Sequence, residues 1–252
     1  MSNLFWLTDA QMDRLRPFFP RPHGKPRVDD RRVLSGIIFI NRNGLRWCDA
    51  PREYGPPKTL YNRWKRWSDK GVFARMMEGL AAEGSEQKTI MIDATYLKAH
   101  RTASSLRGEK GGRGRLIGRT KGGPNTKLHA VTDATGRPIR FFMTTGEVSD
   151  YTGAAAMLSS LPTADWLLAD RGYDADWFRD ALKDKGIRAC IPGRKSRGKV
   201  VRYDKRRYKR RNRIKIMFGR LKDWRRVATR YDRCPKVFLS AIALAATVLF
   251  WL

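Results

Sequence analysis

The sequence predicts an α/β protein in which a helical N-terminal part is followed by a mixed sheet. Hydrophobic residues recur at helical spacing as far as about Gly84, whereas past Glu86 the apolar runs shorten to strand length. Two of those runs, Thr89-Ile90-Met91-Ile92 and Trp166-Leu167-Leu168-Ala169, each stop at an aspartate. Sheets of α/β proteins place their chemistry at the C-terminal ends of strands. Asp93 and Asp170 are therefore the first candidate site residues, and the Arg171-Gly172 break after Asp170 marks that strand's end.

The helical part begins with Thr8-Asp9-Ala10-Gln11, a capping-box pattern that predicts a helix from Asp9 to about Pro17 or Phe19. Residues 21–27, with Pro22, Gly24 and Pro26, read as a loop. A second helix from Asp29 turns Val33, Leu34, Ile37, Ile38 and Ile40 inward and ends near Gly44. A third is expected from about Lys58 to Ser68, with Leu60, Trp64 and Trp67 at helical spacing and Arg63, Lys65 and Arg66 on its other faces. Helix, turn and basic helix is the pattern of a helix-turn-helix module, which makes these three cations candidate DNA contacts. A small helical bundle with a solvated basic face has the same pattern. Residues 71–84 read as a further helix and a boundary, so the expected division is a helical DNA-binding domain over 1–85 and a sheet domain over 86–252.

In the second part, strands are expected at 89–93, 127–133 and 138–145, the last two joined by a turn at Ala134-Thr135-Gly136. Between the first two lies a basic loop, residues 101–126, rich in Arg, Lys and Gly and including Arg113 and Lys121. No GxxxxGK[ST] phosphate loop occurs in it, so contact with a nucleic-acid backbone is the simpler reading. A helix from Ser149 or Asp150 to Leu161, the Asp170 strand, a helix over 174–185 and a strand over 187–191 follow. Asp174 is read as the cap of its helix, and His100 and His129 as hydrogen-bonded structural residues. This element order is that of the ribonuclease H-like fold.

Composition narrows the partners. The net charge is +29, with an isoelectric point near 10.8. With 41% hydrophobic residues and eight tryptophans the chain can still bury a core, so it reads as a folded protein with a polyanionic partner, most simply nucleic acid. The three cysteines, Cys48, Cys190 and Cys234, have no CxxC spacing and read as reduced core residues of a cytoplasmic protein. The N-terminus lacks a secretory-signal pattern. The apolar run Val237 to Leu252 is shorter than the roughly 20 residues of a membrane span and reads as a buried closing helix.

From Arg194 to Arg226, Lys and Arg outnumber acids 17 to two. Ile214, Met217, Phe218, Leu221 and Trp224 recur there at helical spacing, which predicts a basic helix docked on the core. Tyr208, Arg211, Lys215 and Lys222 share one stripe of it. Each strand-end acid alone could be a solvated residue; two of them side by side repel unless a divalent cation lies between them.

The spacing Tyr-x2-Arg-x3-(215)-x6-Lys, with MIDATYLKAHRT around Asp93, RTKGGPNTKLHAVTD after it and LLADRGYD around Asp170, resembles the bacterial DDE transposases of the insertion sequence 5 family. The resemblance runs nearly end to end, from LTDAQMDRLRPFFP to DWRRVATRYDRCPKVFLSAIALAATVLFWL. It implies a transposase that binds the terminal repeats of an insertion element and target double-stranded DNA, acts as a homodimer on DNA, resides in the cytoplasm with the nucleoid and touches no membrane. It also implies two Mg2+ (or Mn2+) ions, roughly 3.5–4 Å apart, clamped by three carboxylates. Asp93 would bridge both ions and Asp170 would hold one. Tyr208, Arg211 and Lys222 would contact phosphates beside the site.

One position departs from the family pattern: Lys215 stands where the resemblance implies a catalytic Glu. An ammonium about 4 Å from a divalent ion costs several kcal/mol at an effective dielectric of about 20, and a ligand is lost as well. Asp223 and Asp204 lie too far around or along the helix to substitute. The expectation is a transposase with impaired cleavage; a catalytically inactive DNA-binding protein, a decayed copy or a repressor at element ends, is the alternative. A structured RNA-binding protein with incidental acids is a third.

Overall fold

The computed structural model describes residues 4–20, 29–84, 88–105 and 112–252. The loop expected at 21–27 and the Arg113 side chain lie outside the described residues.

The N-terminal helices are α1 (Asp9–Leu15), α2 (Asp30–Asn43), α3 (Pro57–Asp69) and α4 (Val72–Ala82). Thr8 and Gln11 form the reciprocal capping box at the start of α1. α2 starts on the Asp29 side chain and ends at Gly44, whose φ of 71° is the left-handed conformation that glycine adopts without a side-chain penalty.

Strand β1 (Thr89–Ala99) follows, then a short helix α5 (Arg101–Ser104), β2 (Gly118–Thr120), β3 (Gly123–Thr132) and β4 (Pro138–Thr145). Next come α6 (Asp150–Leu158), β5 (Trp166–Leu168), α7 (Asp176–Asp184) and β6 (Arg188–Cys190). The basic region forms α8 (Lys205–Tyr208), a 3-10 turn (Lys209–Arg211) and α9 (Asn212–Lys222). α10 (Arg225–Ala228), β7 (Thr229–Arg230) and α11 (Pro235–Ala246), which runs on as a π-helical turn to Trp251, close the chain.

Three expectations need correction. β1 runs to Ala99, six residues past its expected end, because β3 pairs with it from Met91 to Lys98. The basic loop is correspondingly shorter: β2 and the start of β3 form a hairpin within it, Gly118 facing Asn125 and Thr120 facing Gly123. Cys190 is buried, but Cys48 and Cys234 are exposed, because the turn and the helix start that carry them lie at the surface.

The sheet has strand order β2-β3-β1-β5-β6, with β4 also paired to β3 and β7 to β1. β1, β3 and β4 are antiparallel neighbours, whereas β1, β5 and β6 run parallel. Alternation along β1 and β5 sorts the core into two layers. Ile90, Ile92 and Leu167 pack with Phe178 and Leu182 of α7 and Met157 of α6. Met91, Leu97 and Leu168 face the other way, into a layer shared with α2–α4, α9 and α11. The expected division near residue 85 thus marks a change of element type, while the apolar core continues across it. No helix among the described residues is long and apolar enough to cross a membrane.

Candidate active site

β1 and β5 set the two aspartates level. Their parallel register pairs Thr89 with Trp166, Ile90 with Leu167 and Met91 with Leu168; continued two residues, it sets Asp93 opposite Asp170. On this edge of β1, pairing with β5 stops at Met91 and pairing with β7 begins at Lys98. The basic helix crosses this gap. Asp93, Thr95, Asp170, Arg211, Lys215 and Lys222 line one open cleft of about 450 Å³ there. The structure therefore brings together both acids, although Asp93 stands within β1, just past the end of its pairing with β5, and not at the strand's end, and with them three of the four residues of the helix stripe. The fourth, Tyr208, is half-buried beside them, with the Arg211 guanidinium 5.7 Å from its ring centre.

Arg211 is the structural centre of the cleft. It is buried, and one terminal nitrogen donates to Asp93 Oδ2 at 3.0 Å while the other lies 3.5 Å from Asp170 Oδ2. The remaining carboxylate oxygens accept from the backbone, Asp93 Oδ1 from Ala94 N at 2.9 Å and Asp170 Oδ1 from Gly172 N at 2.7 Å. Burial pushes the Asp93 carboxyl above the usual carboxylate range, and the Asp170 charge adds to that, against the pull of Arg211, the Ala94 N–H and Lys215. A guanidinium thus bridges the pair that the sequence assigns to a metal. Lys222 donates to Thr95 Oγ1 at 2.8 Å, and its partial burial lowers its pKa.

This donor set can be tested against a divalent ion. Mg2+ commonly sits on one or two carboxylates completed by water and phosphate oxygens, so Asp93 and Asp170 fit a single ion once Arg211 withdraws. They do not fit a pair of ions, since position 215 supplies an ammonium. Among the described residues no group of three or more His, Cys, Asp or Glu side chains is placed to hold a metal.

The remaining sequence candidates are dispersed. Arg63 does not face solvent with Lys65 and Arg66: it is buried, donates to Asp30 Oδ1 at 2.6 Å and lies over the Trp67 ring. The cause is an acid on the neighbouring helix, invisible in the periodicity of α3 itself. Lys65 lies 3.8 Å from Asp69, and Arg66 and Lys121 are exposed. Asp174 does not cap α7, whose N-cap is Ala175. Its side chain is fully buried, accepting from Arg179 Nε at 2.9 Å, Arg197 Nε at 2.9 Å and the backbone of Arg194 at 2.7 Å. Burial alone would raise its pKa; these donors outweigh it and hold the carboxyl low. His129 is buried and bonds Thr144 Oγ1 at 2.9 Å, and His100 bonds Thr102 at the start of α5.

Sequence reasoning missed Asp150. It binds the buried Lys127 ammonium at 3.1 Å, and Lys127 also donates to Val148 O. A β-carbon at Gly172 would meet Asp170 Oδ1 at 2.8 Å and Asp150 Oδ2 at 3.3 Å, so the absence of a side chain at 172 lets both carboxylates approach the turn. Nothing in the spacing signals this contact, which arises from how α6 sits against the 170–173 turn.

A carboxylate within the central strand and another just past its parallel neighbour, on a mixed sheet of this order crossed by a late helix, define a protein of the ribonuclease H-like class. Comparison with known proteins narrows the class. Residues 7–77 match the family model described as "Putative transposase of IS4/5 family", and residues 167–252 match "Transposase DDE domain". The chain is 37% identical over 128 residues, half of its own length and 98% of the relative, to the "Putative transposase for insertion sequence element IS6501" of Brucella ovis. It is 37% identical over 110 residues, 42% of its length and 87% of the relative, to an uncharacterised protein, y4sN, of Sinorhizobium fredii. Among solved structures, that of piggyBac transposase in a synaptic complex with hairpin DNA superposes with a TM-score of 0.55 at 8% identity, covering 97% of this chain and 72% of that one; this likeness concerns the fold. The chain belongs to the insertion-element transposases of the IS4/5 family, with a DDE transposase domain.

Proposed function

We propose that this chain binds the terminal repeats of an insertion element and target duplex DNA, and that its strand cleavage and transfer are severely impaired. The observation that carries this reading is the cation content of the cleft: Lys215 shares it with Asp93 and Asp170, and Arg211 already bridges the two carboxylates. Phosphate is drawn to such a site by Lys215, Lys222 and the surrounding basic helix.

A divalent ion bound by Asp93 and Asp170 would activate the attacking water or 3′-hydroxyl. For the leaving oxygen, Lys215 supplies a fixed charge where the family pattern has a carboxylate ligand. An ammonium can hold a phosphate oxygen in the ground state but cannot take part in clamping a second ion. Binding and chemistry are thereby separated, so the chain occupies element ends more effectively than it cuts them. Cations outside the cleft, the half-buried Lys65 and the exposed Arg66 and Lys121, extend the DNA-facing surface in this reading. Pairing of two element ends calls for a homodimer on DNA, in the cytoplasm with the nucleoid.

The test is Mg2+-dependent nicking of a duplex carrying the element ends by wild type, Lys215→Glu and Asp170→Asn. The expected result is that Lys215→Glu exceeds wild type by at least about 100-fold, a barrier difference of roughly 2.7 kcal/mol, and that Asp170→Asn is inactive. Equal rates for wild type and Lys215→Glu would remove the role given to position 215.

A further inference from the structure

On the sheet face opposite the cleft, two exposed tyrosines carry cations. Tyr96, on the stretch of β1 that lacks a neighbour on the β5 side, is 51% exposed and has the Lys127 ammonium 4.9 Å from its ring centre. Tyr151, at the start of α6, is 39% exposed, and the Arg194 guanidinium lies 5.6 Å from its ring centre. The two units are joined, because Lys127 also binds Asp150, the residue before Tyr151. Both also adjoin the Asp170 turn. Asp150 reaches the space beside Gly172, and Arg194 donates to Gly172 O at 2.8 Å and to Arg171 O at 3.2 Å. Tyr96 lies one residue beyond Thr95, which lines the cleft.

We propose that Tyr96 and Tyr151, with Arg194, form a stacking rim for unpaired bases of a DNA strand that leaves the cleft over the free edge of β1. An exposed ring is the element that single-strand binding surfaces use to stack on a base of any identity, and the Arg194 charge beside Tyr151 draws the adjoining phosphate, while Lys127, buried and paired with Asp150, holds the Tyr96 ring. Alternation along β1 turns Thr95 toward the cleft and Tyr96 toward the opposite face, so a strand rounding this edge exchanges phosphate contacts with Lys222 and Lys215 for base contacts with the rim. Fully paired duplex offers no free base face and gains nothing from it. The carboxylate of Asp150, neutralised by Lys127, does not repel the strand.

This inference rests on the reading of the cleft as a DNA site, and the experiment separates the two. Fluorescence anisotropy at stated salt compares a blunt duplex with the same duplex carrying a short 3′ overhang that contains 2-aminopurine, whose own emission reports stacking. Wild type is expected to bind the overhang substrate about tenfold more tightly than the blunt one and to quench 2-aminopurine. Tyr96→Ala and Tyr151→Ala lose the preference and the quenching while keeping blunt-duplex affinity; Tyr96→Phe and Tyr151→Phe keep both. Equal preference in the alanine variants, or none in a wild type that binds blunt duplex, overturns the stacking rim alone. Failure of wild type to bind either duplex overturns the DNA reading and the rim together.

Discussion

At Arg211 a cation that the family resemblance assigns to DNA phosphates turns inward and bonds the carboxylates themselves. The spacing was enough to put Arg211, Lys215 and Lys222 on one side of a helix; it could not say that the first is buried and the second exposed. The same limit applies at Arg63, whose partner Asp30 is 33 positions away, and at Asp174, which gathers Arg179, Arg194 and Arg197 from later segments. The meeting of the two acids that close apolar runs was, by contrast, legible, since Asp93 and Asp170 line one cleft. His129 gives a residue-scale prediction. Burial, together with the Lys127 charge and against that of Asp150, lowers its pKa from 6.5 to about 4. As pH falls the unfolded chain therefore takes up the proton first. The stability held by the neutral ring is complete above about pH 6.5 and is lost progressively toward about pH 4, by up to about 3 kcal/mol. Urea denaturation between pH 7 and 4.5 should show His129→Gln with a flatter profile than wild type; identical slopes would mean that the ring does not titrate as described.

Secondary-structure elements were mostly readable from periodicity. The capping box of α1 and the β3–β4 turn are set by local sequence, and both formed where expected. What was not readable was pairing. β1 is longer than its apolar run because β3 satisfies its polar half, Ala94 to Lys98, through the ladder, and a ladder partner is a distant segment. The segment carrying Arg194 and Arg197 depends on distant contacts in the same way. It has no helix or strand of its own, and it is tied to the Asp170 turn through Asp174, Arg171 O and Gly172 O. Asp174→Asn weakens that tie without changing size. Trypsin cleavage within residues 194–199 is expected to accelerate at least about tenfold, equivalent to ~1.4 kcal/mol of local stability. An unchanged rate would show that other contacts hold the segment.

Across the whole molecule, the sequence suggested two parts, and the apolar core joins them. Phe238, Ile242 and Ala245 of α11 are fully buried in the same layer as Leu60, Trp67, Phe73 and Leu80 of α3 and α4, so the last helix completes the packing of the first ones. A chain truncated before Pro235 should therefore lose protection from hydrogen exchange in α3 and α4, not only near the cut; retained protection there would argue for an independent N-terminal unit. The net charge of +29 bears on any partner of this fold, and affinity for DNA should fall steeply with salt. In the proposed reading, two aspartates crossed by Arg211 and Lys215 do not form a two-ion centre. The most direct measurement is the number of Mn2+ ions bound per chain, counted by electron paramagnetic resonance, for wild type and Lys215→Glu on a duplex carrying the element ends. Wild type is expected to hold no more than one ion and Lys215→Glu two; two ions in wild type would show that Lys215 does not exclude the second.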